Sequence, residues 1–294
     1  LSLSAADATA TAANNRRMTT PLPLGACNAH CHVFGPRDRF PYAADAPFVP
    51  AEDAPREALY ALNDRLGLQR CVVVQSTCHG LDNSVTAHAI AGRPRDYRGI
   101  ALVHTDVPDA ELARLDAAGF RGVRFNYMGH LGSPAPVDAV LALARRMAPL
   151  GWHLQIHGDT RLLTEVAPAL RASPVPVVID HIGRVDAGLG LQQPAFQSLR
   201  ALLDAPTFWV KVSGVDRITR LGPPYDDAMP FAAALVAEHG DRVLWGNDWP
   251  HPNHAGPLPV EDQLTAQIAR MAPTAAALQR LLVDNPQRLY RFDN

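Results

Sequence analysis

No apolar run in this chain approaches the ~18 to 20 residues that a membrane-spanning helix needs, so the sequence reads as that of a soluble protein with no membrane partner. Positive charge is not in excess. Lys and Arg number 27 against 29 Asp and Glu, a net charge of -2, and no basic footprint exists to bind a phosphate backbone, so nucleic acid is not an expected partner. Cysteine is scarce: four residues, at positions 27, 31, 71 and 78, lack CxxC spacing in a chain far too long for a disulfide scaffold. A reducing cytoplasm is the natural expectation. The glycine fingerprint of a dinucleotide-binding turn is missing, as are Gly/Ser linkers and repeats of 20 to 50 residues.

What is present is 294 residues, 47% of them apolar, enough for one large globular unit but cramped for two. Residues 1–25 read as an irregular leader. They are rich in Ala and Thr, lack the continuous apolar segment of a signal peptide, and contain Met18, which fits a native start; residues 1–18 are set aside from the fold. From residue 26 to 294 a single domain is expected. Strand-like runs occur at 26–32, 70–77, 98–104, 121–126, 152–158, 175–183, 208–214 and 242–248. Helix-like stretches open between them, near Pro55, Asp82, Pro108, Pro136, Thr160, Pro194, Asp226 and Pro259. Eight β-then-α units predict an α/β fold of the closed (β/α)8 TIM-barrel type, whose functional groups sit at the C-terminal ends of the strands.

The histidines follow that prediction. Of twelve, nine fall at or just beyond predicted strand ends: His30, His32, His79, His104, His130, His157, His181, His251 and His254. One such histidine is most often a hydrogen-bonded structural residue, but nine on one rim are a poor match to that explanation. His30 and His32, two apart on a strand, point the same way, and Cys31 between them points to the opposite face, which argues against a nucleophilic role for it. Joined to His157, His181 and Asp248, the pair becomes a five-group constellation drawn from four strands. Imidazoles and a carboxylate suit a divalent ion such as zinc, with an open position for water.

These residues carry a resemblance. The HxH on strand one, His157, His181 and WGNDWPH (245–251) resemble the amidohydrolase superfamily, which implies its amidohydrolase-like barrel. NAHCHVFGP (28–36), VVVQSTCHG (72–80), GFRGVRFN (119–126), VVIDHIGR (177–184), GPPYDD (222–227), WGNDWPHPN (245–253) and DNPQRLY (284–290) are similar to the 2-pyrone-4,6-dicarboxylate lactonases within it. The resemblance spans residues 26 to 292 and implies hydrolysis of a cyclic ester in bacterial breakdown of aromatic compounds. Two positions depart from it. The lactonases carry Tyr on strand five and work without metal, where this chain has His157; they place a substrate-holding Arg where this chain has His130. A related branch, the 4-sulfomuconolactone hydrolases, resembles the chain too and implies a metal-using enzyme.

Lactone hydrolysis needs a base for water, a donor or cation for the oxyanion and a proton source for the leaving oxygen. Asp248 is the candidate base, with a hydrogen-bonding barrel-end Asp as its plain alternative. His30, His32, His157 and His181 would either hold a metal with Asp248, the set being His30, His32, His157 and Asp248, or stabilise the oxyanion directly. No Lys ends strand four, so a carbamylated bridge between two metals has no source; Lys211 reads as an interior polar or salt-bridged residue. The expectation is therefore one divalent ion, zinc favoured, or a metal-free site. Arg124 and Arg217 suit a carboxylate or sulfonate because guanidinium offers a planar fork, although Asp216 beside Arg217 offers a structural pairing. His130, Ser76, His79, His251 and Asn253 complete the candidate contacts to a small anionic lactone. A metal-dependent carboxy-lyase and a catalytically silent binding protein are the competing functions; the PHPN and GPPYDD segments favour the first reading over the lyase, and the intact Asp248 and histidine set argues against silence.

Overall fold

A computed structural model describes residues 21–129, 134–254 and 256–292. Eight strands lie in one parallel sheet in sequence order: β1 (Cys27–Cys31), β2 (Arg70–Val74), β3 (Tyr97–Ala101), β4 (Phe120–Tyr127), β5 (His153–Gly158), β6 (Val177–Ile179), β7 (Phe208–Lys211) and β8 (Val243–Leu244). The last strand returns to the first. Ala29 donates its N–H to Trp245 O at 2.8 Å, Asp248 to His30 O at 2.9 Å, and His32 to Trp249 O at 2.7 Å. Those bonds close the barrel and bring Asp248 beside the HxH pair. The approach is tight: a Cβ at Gly246 would lie 2.5 Å from His30 N, so only glycine fits there.

Helices form where apolar residues recur at helical spacing. α1 (Arg56–Leu66), α2 (Ser84–Gly92) and α3 (Asp109–Ala117) follow β1 to β3. In α4 (Val137–Met147), Val140, Leu143, Ala144 and Met147 make one buried stripe, and α5 (Pro194–Leu203) does the same with Phe196, Leu199, Leu202 and Leu203. A short α6 (Val215–Ile218) precedes α7 (Met229–His239) and α8 (Glu261–Ala266). Pro55, Pro108 and Pro136 cap their helices from one residue outside, and Pro194 is the first residue within its own. At the barrel's other end Leu289, Tyr290 and Phe292 pack against Val72, Ile100, Val178, Trp209 and Leu244. No helix among the described residues is long and apolar enough to cross a membrane.

Several sequence expectations differ from the structure, strands two, three and seven each ending three residues before the expected bound. The helix sought at Thr160 is a π turn, Leu162–Val166, and a 3-10 turn, Ala169–Ala172, because Pro168 between them supplies no N–H to continue a ladder. Strand six stops at Ile179 rather than 183, and strand eight at Leu244 rather than 248. In both places the chain leaves the sheet: His181, Ile182 and Arg184 take φ of 50°, 53° and 56°, and Asp248, His251 and Asn253 take 62°, 61° and 55°. Left-handed backbone at non-glycine residues is costly, and its concentration on one rim marks a built site. Finally, residues 1–20 and His130 lie outside the described residues.

Candidate active site

Asp248 is the centre of the rim. Its Oδ2 accepts two bonds from Arg217, from Nη2 at 2.6 Å and Nε at 2.9 Å. Its Oδ1 lies 3.2 Å from His32 Nε2 and 3.6 Å from His30 Nε2, and His181 Nε2 is 3.9 Å from Oδ2. Burial alone would raise the carboxyl's pKa; Arg217, then His181 and the His32 contact, outweigh it and hold the group well below the usual carboxylate range. Asp248 is therefore ionised but electrostatically satisfied.

The histidines differ in polarity. His32 Nδ1 sits 2.7 Å from Val74 O, and a carbonyl only accepts, so Nδ1 carries the proton. Nε2 faces Asp248 Oδ1 at 3.2 Å, where a ring proton or a cation between the two would satisfy both atoms. Burial, followed by the charge of Lys211, lowers the pKa of His30 to about 3. Burial is also the chief cause that holds His157 and His181 well below the usual imidazole range. His181 Nδ1 pairs with Ser213 Oγ at 3.0 Å, and His157 Nδ1 with Asn126 Oδ1 at 3.2 Å.

The expected metal set, His30, His32, His157 and Asp248, is brought together only in part. Among the described residues, two trios come within mutual reach of a single ion, His30 with His32 and Asp248, and His30 with Asp180 and His181. His157 belongs to neither. It stands on β5, across the barrel from the β8–β1 seam, with its ring 5.4 Å from that of His181. Cys31 points out of the barrel into an apolar cluster beside Cys71, as its alternation with the histidines requires.

Of the expected substrate contacts, Arg124, Arg217, Ser76 and Asn253 line the cleft above Asp248. His79 and His251 do not. His79 turns away to place Nδ1 3.1 Å from Pro41 O, and His251 Nε2 is held at 2.6 Å by Glu261. Asp216, read as a structural partner for Arg217, is 3.7 Å from it and faces His254 at 3.4 Å, while Arg217 bonds Asp248.

Two charged residues escaped the sequence reading. Asp180 is fully buried beneath the cleft, 3.1 Å from Arg124 Nε and 3.4 Å from His30 Nδ1, and accepts from Gln155 Nε2 at 3.0 Å. Arg184 lines the cleft with neither hydrogen bond nor ion pair among the described residues. Burial and the nearby Arg217 charge lower its pKa. Both stand in the segment VVIDHIGR (177–184), on either side of His181. Lys211, read as an interior polar residue, is one: fully buried, it lies 2.7 Å from Gln155 Oε1 and 3.7 Å from Asp180 Oδ1.

An eight-stranded parallel barrel with an HxH on its first strand and an aspartate beyond its last defines an amidohydrolase. The chain matches the Amidohydrolase family over residues 27–292 and belongs to it. It is 43% identical over 287 residues to 2-pyrone-4,6-dicarboxylate hydrolase of Comamonas testosteroni, covering 95% of this chain and 94% of that protein. It is 40% identical to 4-sulfomuconolactone hydrolase of Rhizobium radiobacter, covering 92% of this chain and 91% of that one. The crystal structure of a probable 2-pyrone-4,6-dicarboxylic acid hydrolase from Acinetobacter baumannii, with citric acid bound, superposes with a TM-score of 0.81 at 28% identity, over 92% of this chain and 100% of that one.

Proposed function

We propose that this amidohydrolase opens a small dianionic lactone, 2-pyrone-4,6-dicarboxylate or a close analogue, by attack of a water molecule that Asp248 activates. The observation that carries the reading is the charge around the cleft. Arg124, Arg184 and Arg217 line it with Lys211 beneath, against Asp180, Asp248 and, beside Arg217, Asp216, so cations outnumber carboxylates and an anionic lactone would add negative charge where it is short. A guanidinium without a partner among the described residues, Arg184, is placed to take a carboxylate or sulfonate.

Asp248 accepts a proton from water as the water oxygen bonds to the lactone carbonyl carbon. Collapse of the tetrahedral adduct breaks the ring C–O bond, and the departing oxygen takes up a proton that Asp248 returns. A ring N–H from the cleft histidines other than His32 faces the carbonyl oxygen as its charge grows. A substrate anion that draws Arg217 partly off Asp248 makes the carboxylate more basic, so binding itself readies the base. Asp248→Asn should lower kcat by about 1,000-fold, within the range general base catalysis supports, with little change in the thermal melt. A variant that keeps most of its kcat would remove Asp248 from this role.

One observation favours a second reading with a single divalent ion, zinc being suited to imidazole and carboxylate donors: His32 Nε2 aimed at Asp248. His32 and Asp248, with His30 as a third donor, would hold the ion, which would supply Lewis-acid polarisation of the carbonyl. Chelator treatment with elemental analysis separates the readings. Full activity at substoichiometric metal supports direct donation; loss restored by zinc or manganese supports the ion. Four buried free cysteines favour a reducing, cytoplasmic setting.

A further inference from the structure

We propose that Lys211 is a positioning residue that fixes the tautomer of His30, so that the ring offers an N–H and not a lone pair from Nε2 to the cleft. Lys211 ends β7 with its side chain fully buried, and its Nζ is 3.3 Å from His30 Nδ1. An ammonium has three donors and no acceptor, so this contact has one polarity: Nδ1 accepts. A neutral imidazole that accepts at Nδ1 carries its proton at Nε2. In this structure Nε2 has no hydrogen-bond partner among the described residues and points at the site, 3.6 Å from Asp248 Oδ1.

The competitor for Nδ1 is Asp180, whose Oδ1 lies 3.4 Å away and would draw the proton to Nδ1. That alternative would leave a lone pair on Nε2, the arrangement of most metal-ligating histidines. Asp180 has other cationic neighbours: Oδ2 accepts from Gln155 Nε2 at 3.0 Å with the Arg124 charge 3.1 Å away, and Oδ1, which has no hydrogen-bond partner among the described residues, also has the Lys211 ammonium at 3.7 Å to balance it. The Gln155 amide has one orientation that satisfies both neighbours, oxygen toward Lys211 at 2.7 Å and nitrogen toward Asp180, and that orientation holds the ammonium against His30. The HxH pair is thereby split in polarity. A neutral His32 presents a lone pair, suited to a water hydrogen, and His30 presents a donor, suited to a carbonyl oxygen.

The catalytic consequence rests on the lactonase reading; the tautomer does not. Nitrogen-15 NMR of the full-length, histidine-labelled, metal-free protein, with His30 assigned through His30→Gln, should show the His30 proton on Nε2. Lys211→Met should move it to Nδ1, tighten zinc binding by about tenfold or more through the added ligand, and lower kcat by about 100-fold with KM little changed. A proton on Nδ1 in the unsubstituted protein, or no movement in a folded Lys211→Met, overturns the proposal. Should the variant not fold, the spectrum of the unsubstituted protein decides alone. An Nε2 proton in a protein that opens no lactone sustains the tautomer and defeats the function; lactone opening with an Nδ1 proton does the reverse.

Discussion

Arg184 and Arg217 face one cleft, but only Arg217 already holds a carboxylate, through two bonds to Asp248 Oδ2. Their substitutions should part accordingly. Arg184→Met should raise KM for a dianionic lactone by about 30-fold or more, corresponding to the ~2 kcal/mol lower range for a buried charge pair, and leave kcat within a few fold. Arg217→Met should lower kcat as well, because it also strips Asp248 of its counter-charge. Steady-state kinetics on dianionic and neutral lactones check both, and an unchanged KM in Arg184→Met would take that residue out of substrate binding. Single residues were legible where spacing alone places them: His30 and His32 two apart on a strand, and Asp248 at the end of the last. Asp180 and the role of Lys211 were not, since each acquires its meaning from partners on other strands that no local pattern announces.

Among the elements, the strands and most helices follow their periodicity, and the departures concentrate where the chain serves the site. The segments at 180–184 and 245–248 continue an apolar run in sequence but leave the sheet in left-handed turns that aim His181, Arg184 and Asp248 inward. Apolar patterning reports burial, which those residues share with a strand, and does not report the sign of φ. Beyond β8, His251 is tied to α8 through Glu261 at 2.6 Å, and Glu261 also accepts from Asn247 at 2.6 Å. Burial would lower the pKa of His251; the Glu261 bond prevails and raises it. A raised folded-state pKa stabilises fully below the unfolded value, about 6.5 for histidine, and the contribution is lost as pH rises through the folded value. Denaturant melts should therefore show the protein losing more stability than Glu261→Gln does as pH rises from about 6.5 through the folded-state pKa of His251. Equal losses would show that the pair contributes nothing to folding.

At the scale of the whole molecule, a barrel in a chain of net charge -2 concentrates cations at one mouth. That asymmetry draws in an anion without making the surface basic. The fold was readable because eight βα units leave few alternatives, and the class of chemistry because strand ends converge in a barrel. Which groups could share an ion was not, because His157 stands across the barrel from the β8–β1 seam although all the expected ligands stand at strand ends. The most direct test is to give 2-pyrone-4,6-dicarboxylate to the protein and to Asp248→Asn in oxygen-18 water, following ring loss, proton release and carbon dioxide. Ring opening with a proton released per ring, the label in the new carboxylate, no carbon dioxide and near-complete loss in Asp248→Asn is the predicted result; an intact ring with folded protein, or release of carbon dioxide, would contradict it.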